Sequence, residues 1–476
     1  MMESMITEEL LTFKELEQKI FKAVCEIAVL IMVIILRTYD SHLKQTRDKQ
    51  MYRDKGLRQT SIKTMFGTVS FRRTVYQTKD EDGITHYVYL LDEALGLENE
   101  GLFSENYVEK LVSGITTKSY RGCAKEISET TGQSISAMGV WNIVQSLGAK
   151  LRKEEEFLVK QHKKGRLQGT KAVPVLFEET DGVNLKLQGK DRKATKSGKA
   201  EMKVAIAYDG WKEEGNGRYR LDGKVAFAGF SGSRDFHKIR EAKIASAYDV
   251  DEAEVRILNG DGASWIKKVP DKETLFQLDV FHRNQAVREK LPYKKAQEDV
   301  FELLKEGALQ ELFAYLETYR DSLGDEEEIR KAEELISYFK SNEQGLIPYS
   351  ERGLALPPSP DGLVYRNMGT MEGHIWSIVA ARMKNNHTTW SRRGADHLAK
   401  ILAKKCEGKL DEVTRRLEQP VFEEEQVEAA LGETLSAAKV PMREGRGYEY
   451  PVKGSVTAIN EALRGDPKRL FFMAGY

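Results

Sequence analysis

Cysteine is scarce. The chain has three in 476 residues, Cys25, Cys123 and Cys406, far apart in sequence and with no Cys-x-x-Cys pair. That argues against a zinc ribbon or a disulfide framework and suits a reducing cytoplasm. An excess of one charge is also missing. Lys+Arg and Asp+Glu both number 74, so the net charge is zero and a wholesale polycation is excluded, though 31% charged residues leave room for local patches. The longest apolar run, Ile27 to Leu36, is ten residues long and bracketed by Glu26 and Arg37, whereas a membrane span needs about 20. Acids precede it and no small-residue cleavage site follows, so it does not read as a signal peptide. It reads as a buried or partner-facing helix. No internal repeat and no low-complexity segment occurs. Gly-x-x-x-x-Gly-Lys-Ser/Thr, His-Glu-x-x-His and Gly-x-Ser-x-Gly are all absent, which removes the P-loop, the zinc helix and the nucleophile elbow.

What remains is length and pattern. A chain of 476 residues exceeds what one core serves, so two to four domains are expected. Residues 8 to 45 read as helix, with an apolar face wide enough to pack on something, a second copy of the chain included. Lys44 to Lys79 carries ten Lys/Arg against Asp48 and Asp54, a net +8. Such a run is either a solvated surface or a phosphate contact, with Arg72 and Arg73 in the candidate DNA-binding set. Within it, Ser61 to Gln77 alternates as strands do, with Gly67 at a turn. Residues 104 to 148 read as helical. Ser119 to Thr131, a break at Gly132 and resumption at Ala137 give a helix-turn-helix pattern or an ordinary helical hairpin. In the first case Gln133, Ser134, Ser136 and Asn142 lie near DNA, and Lys118 and Arg121 touch phosphates.

From Val173 the character changes. Strands are expected at Val173 to Phe177, Met202 to Tyr208 and Tyr219 to Phe230, then a helix at Asp235 to Tyr248. A strand at Val255 to Leu258 follows, then a short helical piece at Ser264 to Lys268 and another strand at Leu275 to Val280. Three strands, helix, strand, helix, strand is the order of a ribonuclease-H fold, which sets the first and fourth strands side by side. Asp181 in the run ETDGV and Asp261 in NGDGA would then face each other. Residues 286 to 365 read as a helical insertion, and a last core helix should begin near Thr370 with Glu372 in its first turn. The expected architecture is multidomain α+β and α/β: a helical region (1–60), a small β region (61–100), a helix-turn-helix region (101–165), a ribonuclease-H-like core (171–285 and 366–400) split by an all-α insertion (286–365), and a C-terminal region (401–476).

Taken singly, an Asp beside Gly is an ordinary turn residue, and Glu372 suits any helix N-terminus. Taken together, three carboxylates from two adjacent strands and a helix can hold two divalent ions about 4 Å apart, and oxygen ligands suit Mg²⁺ or Mn²⁺. The chemistry is phosphodiester cleavage or strand transfer. Glu178, Glu179, Asp209 and Asp235 are rivals, Glu179 foremost because it shares the pleat face of Asp181. Asp279 and His282 are either a pair that orients a ligand or binds the scissile phosphate, or a helix cap with a satisfied histidine. Lys186 to Lys203 has seven Lys/Arg and two acids. It is either a mobile surface loop or a DNA clamp beside the first acid through Lys193 and Lys196.

The segments SYRGCAKEISETTGQSIS, ETDGVNLKLQ, KVAIAYDGW, ILNGDGASWIK, LDVFHRN and MEGHIWSIVAARMK resemble the ISLre-type insertion-sequence transposases of bacteria. Those were long catalogued as an uncharacterised protein family and look related to the Mutator-like DDE transposases. The resemblance spans most of the chain. It implies a DNA transposase that binds the terminal inverted repeats of its own element, with Asp181, Asp261 and Glu372 as the catalytic triad on two Mg²⁺ or Mn²⁺ ions. Asp279-x-x-His282 fills the family's [Cys/Asp]-x-x-His place. It further implies a homo-oligomer, no membrane partner, and a bacterial cytoplasmic, nucleoid-associated setting. A regulator that no longer cuts, or a nuclease without strand transfer, are the alternatives.

Overall fold

The computed structural model describes residues 11–96, 103–267, 274–385 and 387–414. They divide into two compact units: residues up to Ser146 together with those from Thr414, and Leu147–Val413.

The first unit starts with α1 (Phe13–Thr46). Thr12 and Glu15 form a capping box at its head, each side chain bonding the other's backbone. β1 (Arg53–Thr64) and β2 (Gly67–Lys79) make a hairpin whose two turn residues are Met65 and Phe66, and β3 (Thr85–Val88) adds to β2. Ile62, Val69, Phe71 and Leu91 form its core with Leu36, and Val29, Met32, Val33, Tyr39 and Leu43 of α1 pack against it. The 34-residue helix and the hairpin are therefore one structure, not the separate helical and β regions expected. α2 (Glu105–Ile115) and α3 (Tyr120–Thr130) follow. A six-residue link then leads to α4 (Ala137–Lys163), which runs on past the end expected near residue 148 and across the division between the units.

The second unit is built on a five-stranded sheet. β4 (Val175–Lys186), β5 (Lys199–Tyr208) and β8 (Val225–Gly229) are antiparallel neighbours, with the hairpin β6 (Gly210–Gly215) and β7 (Arg218–Asp222) between β5 and β8 in sequence. After α5 (Ser233–Ala247) the chain enters β9 (Val255–Gly260), parallel to β4, and then β10 (Thr274–Leu278), parallel to β9. The spatial order is β10-β9-β4-β5-β8. The central strand β4 is thus flanked by an antiparallel and a parallel partner, and its carboxyl half is free of β9.

Below the sheet lies a buried ionic cluster. Glu178 and Arg240, both 1% exposed, meet Arg256 and Glu241. Above it, Phe177, Tyr208, Trp211 and Tyr349 stack edge and face. Pleat alternation along β4 makes this division: 177, 179 and 181 point one way and 178 the other. α6 (Val280–Lys290), α7 (Lys294–Glu306), α8 (Leu309–Ser322) and α9 (Glu326–Ser341) close around Val287, Val300, Leu304, Leu316, Leu335 and Phe339. The inserted helices share this core with Leu278 and Phe276 of β10. A feature not read from the sequence is the short strand Leu363–Val364, which pairs with Trp211 and Lys212 of β6. α10 begins at Met371 and reaches Met383 through a π turn at Trp376–Ala380. α11 (Arg392–Glu407) is capped by Ser391 and closed by Gly408 in the left-handed region. Among the described residues no helix is long and apolar enough to cross a membrane.

Candidate functional site

Three parallel strands reach the same level together. Thr180 of β4 pairs with Gly260 of β9, and Gly260 pairs with Leu278 of β10. The next residue on each strand is an aspartate: Asp181, Asp261 and Asp279. Register alone therefore sets three carboxylates in a row across the edge where β9 and β10 end. The row is continued by backbone, because the Asp279 amide donates to the Gly260 carbonyl at 2.8 Å.

Each member is held differently. Asp181 stays within its strand, and its Oδ1 accepts the Gly182 amide at 2.6 Å. Burial pushes its carboxyl up to about 6, and the charges of Asp261 and Asp279 push the same way, while the Gly182 amide and His282 pull down. Asp261 turns its Oδ1 onto the Ala263 amide at 2.8 Å, and its carbonyl accepts the Tyr338 hydroxyl at 2.8 Å. The end of α9 thus clamps the Gly-Asp-Gly loop. Asp279 caps α6: Oδ1 accepts the His282 amide and faces His282 Nδ1, both at 3.1 Å, and Oδ2 accepts Asn259 Nδ2 at 2.8 Å. Burial alone would raise Asp279, but the His282 and Asn259 donors take it below its ordinary value. His282 is raised in turn by the Asp279 hydrogen bond and by Asp181, Asp279 and Asp261. Asp279 is thus the helix cap of the second reading, and its histidine sits in the field of the row.

Glu179 is the residue that sequence reasoning named only as a rival. It is fully buried. Its carboxylate accepts from Tyr208 Oη (2.7 Å), Asn259 Nδ2 (3.2 Å), the Gly369, Thr370 and Met371 amides (3.1, 2.9 and 3.2 Å) and Thr370 Oγ1 (2.6 Å). It seats the N-terminus of α10, whose orphan amides favour an anion. Burial pushes its carboxyl up, against the pull of Thr370 and Tyr208. The signal for it in the sequence was its spacing of two from Asp181, but the Gly369 amide it accepts comes from 190 residues away.

Glu372 lies in the first turn of α10, one residue past the Met371 amide that Glu179 holds, and is exposed. Among the described residues, no three His, Cys, Asp or Glu side chains converge closely enough to hold a metal ion as they stand. Of the other rivals, Glu178 is committed to the arginine cluster, Asp209 to Lys171 at 2.5 Å, and Asp235 to Lys238 at the head of α5.

The two glycines around Asp261 have tasks other than the open approach their size suggests. A Cβ on Gly260 would lie 2.8 Å from Ile266 Cγ2 and 3.1 Å from the Thr180 carbonyl. Gly262 has φ +84° and abuts Asn342, where a Cβ would come within 2.5 Å of Oδ1. Packing and backbone conformation fix both.

The candidate DNA-binding residues separate into two groups. Arg72, Lys118, Arg121, Ser134, Ser136, Lys193 and Lys196 are exposed, and Asn142 is half-buried. Lys118 pairs with Glu126, and Ser136 Oγ caps α4 through the Gly139 amide. Two expectations need correction. Gln133 is buried and accepts from Thr68 Oγ1 at 3.2 Å, so its amide is turned toward the hairpin. Arg73 bonds Asp92 at 2.6 Å and lies over the Tyr89 ring. Neither side chain is available to an outside partner in this arrangement.

A mixed α/β unit with a row of aspartates at its sheet edge is the class of molecule these observations define. Residues 6–419 match an uncharacterised protein family, UPF0236, and the chain belongs to it. It is 25% identical over 403 residues to the protein named "UPF0236 protein in vanSb 3'region" from Streptococcus gallolyticus, a match covering 83% of each chain.

Proposed function

We propose that this chain is a DNA transposase of the ISLre type, with a ribonuclease-H-like core that cuts and joins DNA strands at the ends of its own element. The observation that carries this reading is the register-set row of Asp181, Asp261 and Asp279, with the α10 helix of Glu372 seated on the same strand through Glu179.

The oxygen donor set fits a hard divalent cation. Asp181 and Asp261 would hold it, with Glu372 completing the site; both aspartates are partly exposed and Glu372 is exposed. A bound Mg²⁺ or Mn²⁺ supplies Lewis-acid activation of an attacking water or hydroxyl and stabilises the leaving oxygen. The chain's own residues do the rest. Burial, and after it the two neighbouring charges, raise Asp181 to about 6; still ionised at neutral pH, it adds its charge to the row that would attract the cation. Asp279 fixes the orientation of His282 through Nδ1, which presents the ring toward the row as a proton carrier or phosphate donor. The exposed Arg72, Lys118, Arg121, Lys193 and Lys196 supply phosphate contacts. The alternatives fall within the same test. Full-length protein is incubated with Mg²⁺ and a DNA fragment carrying the inverted repeats that bound its gene. Cleavage at the ends followed by joining to a target, lost in Asp181→Asn, Asp261→Asn and Glu372→Gln, is the expected outcome. Specific binding without cleavage would mean a regulator, and cleavage without joining a nuclease.

A further inference from the structure

Helix α1 has two apolar faces, and the unit it belongs to covers one of them. The covered face is the stripe Val29, Met32, Val33, Leu36, Tyr39 and Leu43, laid on the β1–β2 hairpin. Half a turn round the helix lies a second stripe. Phe13, Ile20, Ile27 and Ile34 recur at intervals of seven, and Leu16, Ala23 and Leu30 recur at intervals of seven between them. That is an a/d heptad seam sustained over three heptads. It is exposed: Phe13 is 81%, Ile20 51%, Leu30 53% and Ile34 48% accessible. Single exposed apolar residues need no explanation, but a continuous ridge of this kind marks an interaction surface.

We infer that this seam pairs with the same seam of a second copy of the chain, in antiparallel orientation. The seam is self-complementary in size. Run antiparallel, Phe13 meets the partner's Leu30, Leu16 meets the partner's Ile27, and Ile20 meets the partner's Ala23, so large residues face smaller ones at the centre. It is also self-complementary in charge. The flanking g positions are Lys19 and Glu26, both exposed, and the antiparallel register sets Lys19 beside the partner's Glu26 twice over. In parallel orientation the same positions face Val24 and Ile31 and gain no ion pair. The half-exposed seam residues offer roughly 600 Å² per copy, near the about 800 Å² of a standard interface. A two-fold axis through the middle of the seam closes the assembly at two copies.

The test is the mass of the full-length chain in solution, by light scattering and sedimentation velocity at micromolar concentration. A dimer is expected. Ile20→Glu with Ile27→Glu should weaken it by about 100-fold or more, leaving far-UV circular dichroism unchanged because both side chains are exposed in the single chain, and lowering the unfolding midpoint only by the loss of association. Lys19→Glu should weaken the dimer, and adding Glu26→Lys should restore it. A monomeric wild type, or a dimer indifferent to the Ile20 and Ile27 changes, overturns the interface. A full chain that is monomeric but dimerises once residues 415–476 are removed overturns it too, by showing that this segment takes the seam. Failure of the charge swap to restore the dimer overturns the antiparallel register.

Discussion

Glu179 and Thr370 are joined twice: the Thr370 hydroxyl donates to one carboxylate oxygen at 2.6 Å and its amide to the other at 2.9 Å. One acid of the central strand thereby holds the start of the helix that carries Glu372. Glu179→Gln keeps the shape but turns an NH₂ group toward a wall of donors. A buried set of unmatched donors costs about 1–3 kcal/mol per group left unsatisfied. Urea unfolding should therefore show a loss on the order of 3 kcal/mol for Glu179→Gln and about 1 kcal/mol for Thr370→Val. An unchanged midpoint in Glu179→Gln would mean that α10 is seated by other contacts.

Asp181 should make the protein less stable as pH rises. Its folded value, about 6, lies above the ordinary 3.8, so the native state prefers the neutral acid. The stability this brings is fully present below pH 4 and is lost as pH rises through 6. Asp181→Asn, neutral throughout, should exceed wild type at pH 7.5 by on the order of 2 kcal/mol, allowing for solvent screening. The gap should close below pH 4. Chemical denaturation of both proteins from pH 4 to 8 measures it.

A divalent cation should reverse that penalty. With millimolar Mg²⁺ at pH 7.5 the wild-type melting temperature should rise, and EDTA should return it to its starting value, since a ligand of the native state stabilises by mass action. Asp181→Asn and Asp261→Asn should not respond. A wild-type response equal to that of both variants would place the cation elsewhere.

Gly260→Ala and Gly262→Ala should each cost about 1–3 kcal/mol, the first by pressing on Ile266 and the Thr180 carbonyl, the second through its φ of +84° and Asn342. Gly373, in α10, has open space around its Cβ position. Its change to Ala should be neutral or stabilise by about 0.5–1 kcal/mol. Thermal unfolding of the three variants separates the two kinds of glycine.

Much of the sheet was legible because its strands are short β-branched runs punctuated by Gly-Asp and Asp-Gly, and α10 begins where Thr370 was expected to open it. The identity of Asp279 as the third member of the row was visible only as proximity to His282. Its place depends on the register of β10 against β9, which no local pattern encodes. Glu179 stayed hidden for the same reason: its spacing from Asp181 is local, but the amides it binds are not. The π turn at Trp376–Ala380 and the pairing of Leu363 with Lys212 had no local signal either. Gln133 and Arg73 read as outward polar residues because composition does not reveal that Thr68 and Asp92 meet them.

The wait between Glu179 and its donors also has a meaning for a chain still being made. Residues 369 to 371 leave the ribosome 190 residues after the carboxylate they satisfy. Until then the middle of the sheet contains a buried acid that only Tyr208 Oη and Asn259 Nδ2 offset. A nascent or truncated chain that stops before α10 therefore lacks both Glu372 and the means to close its central strand. For a protein proposed to cut DNA, that confines the cutting to molecules whose synthesis has passed the helical insertion.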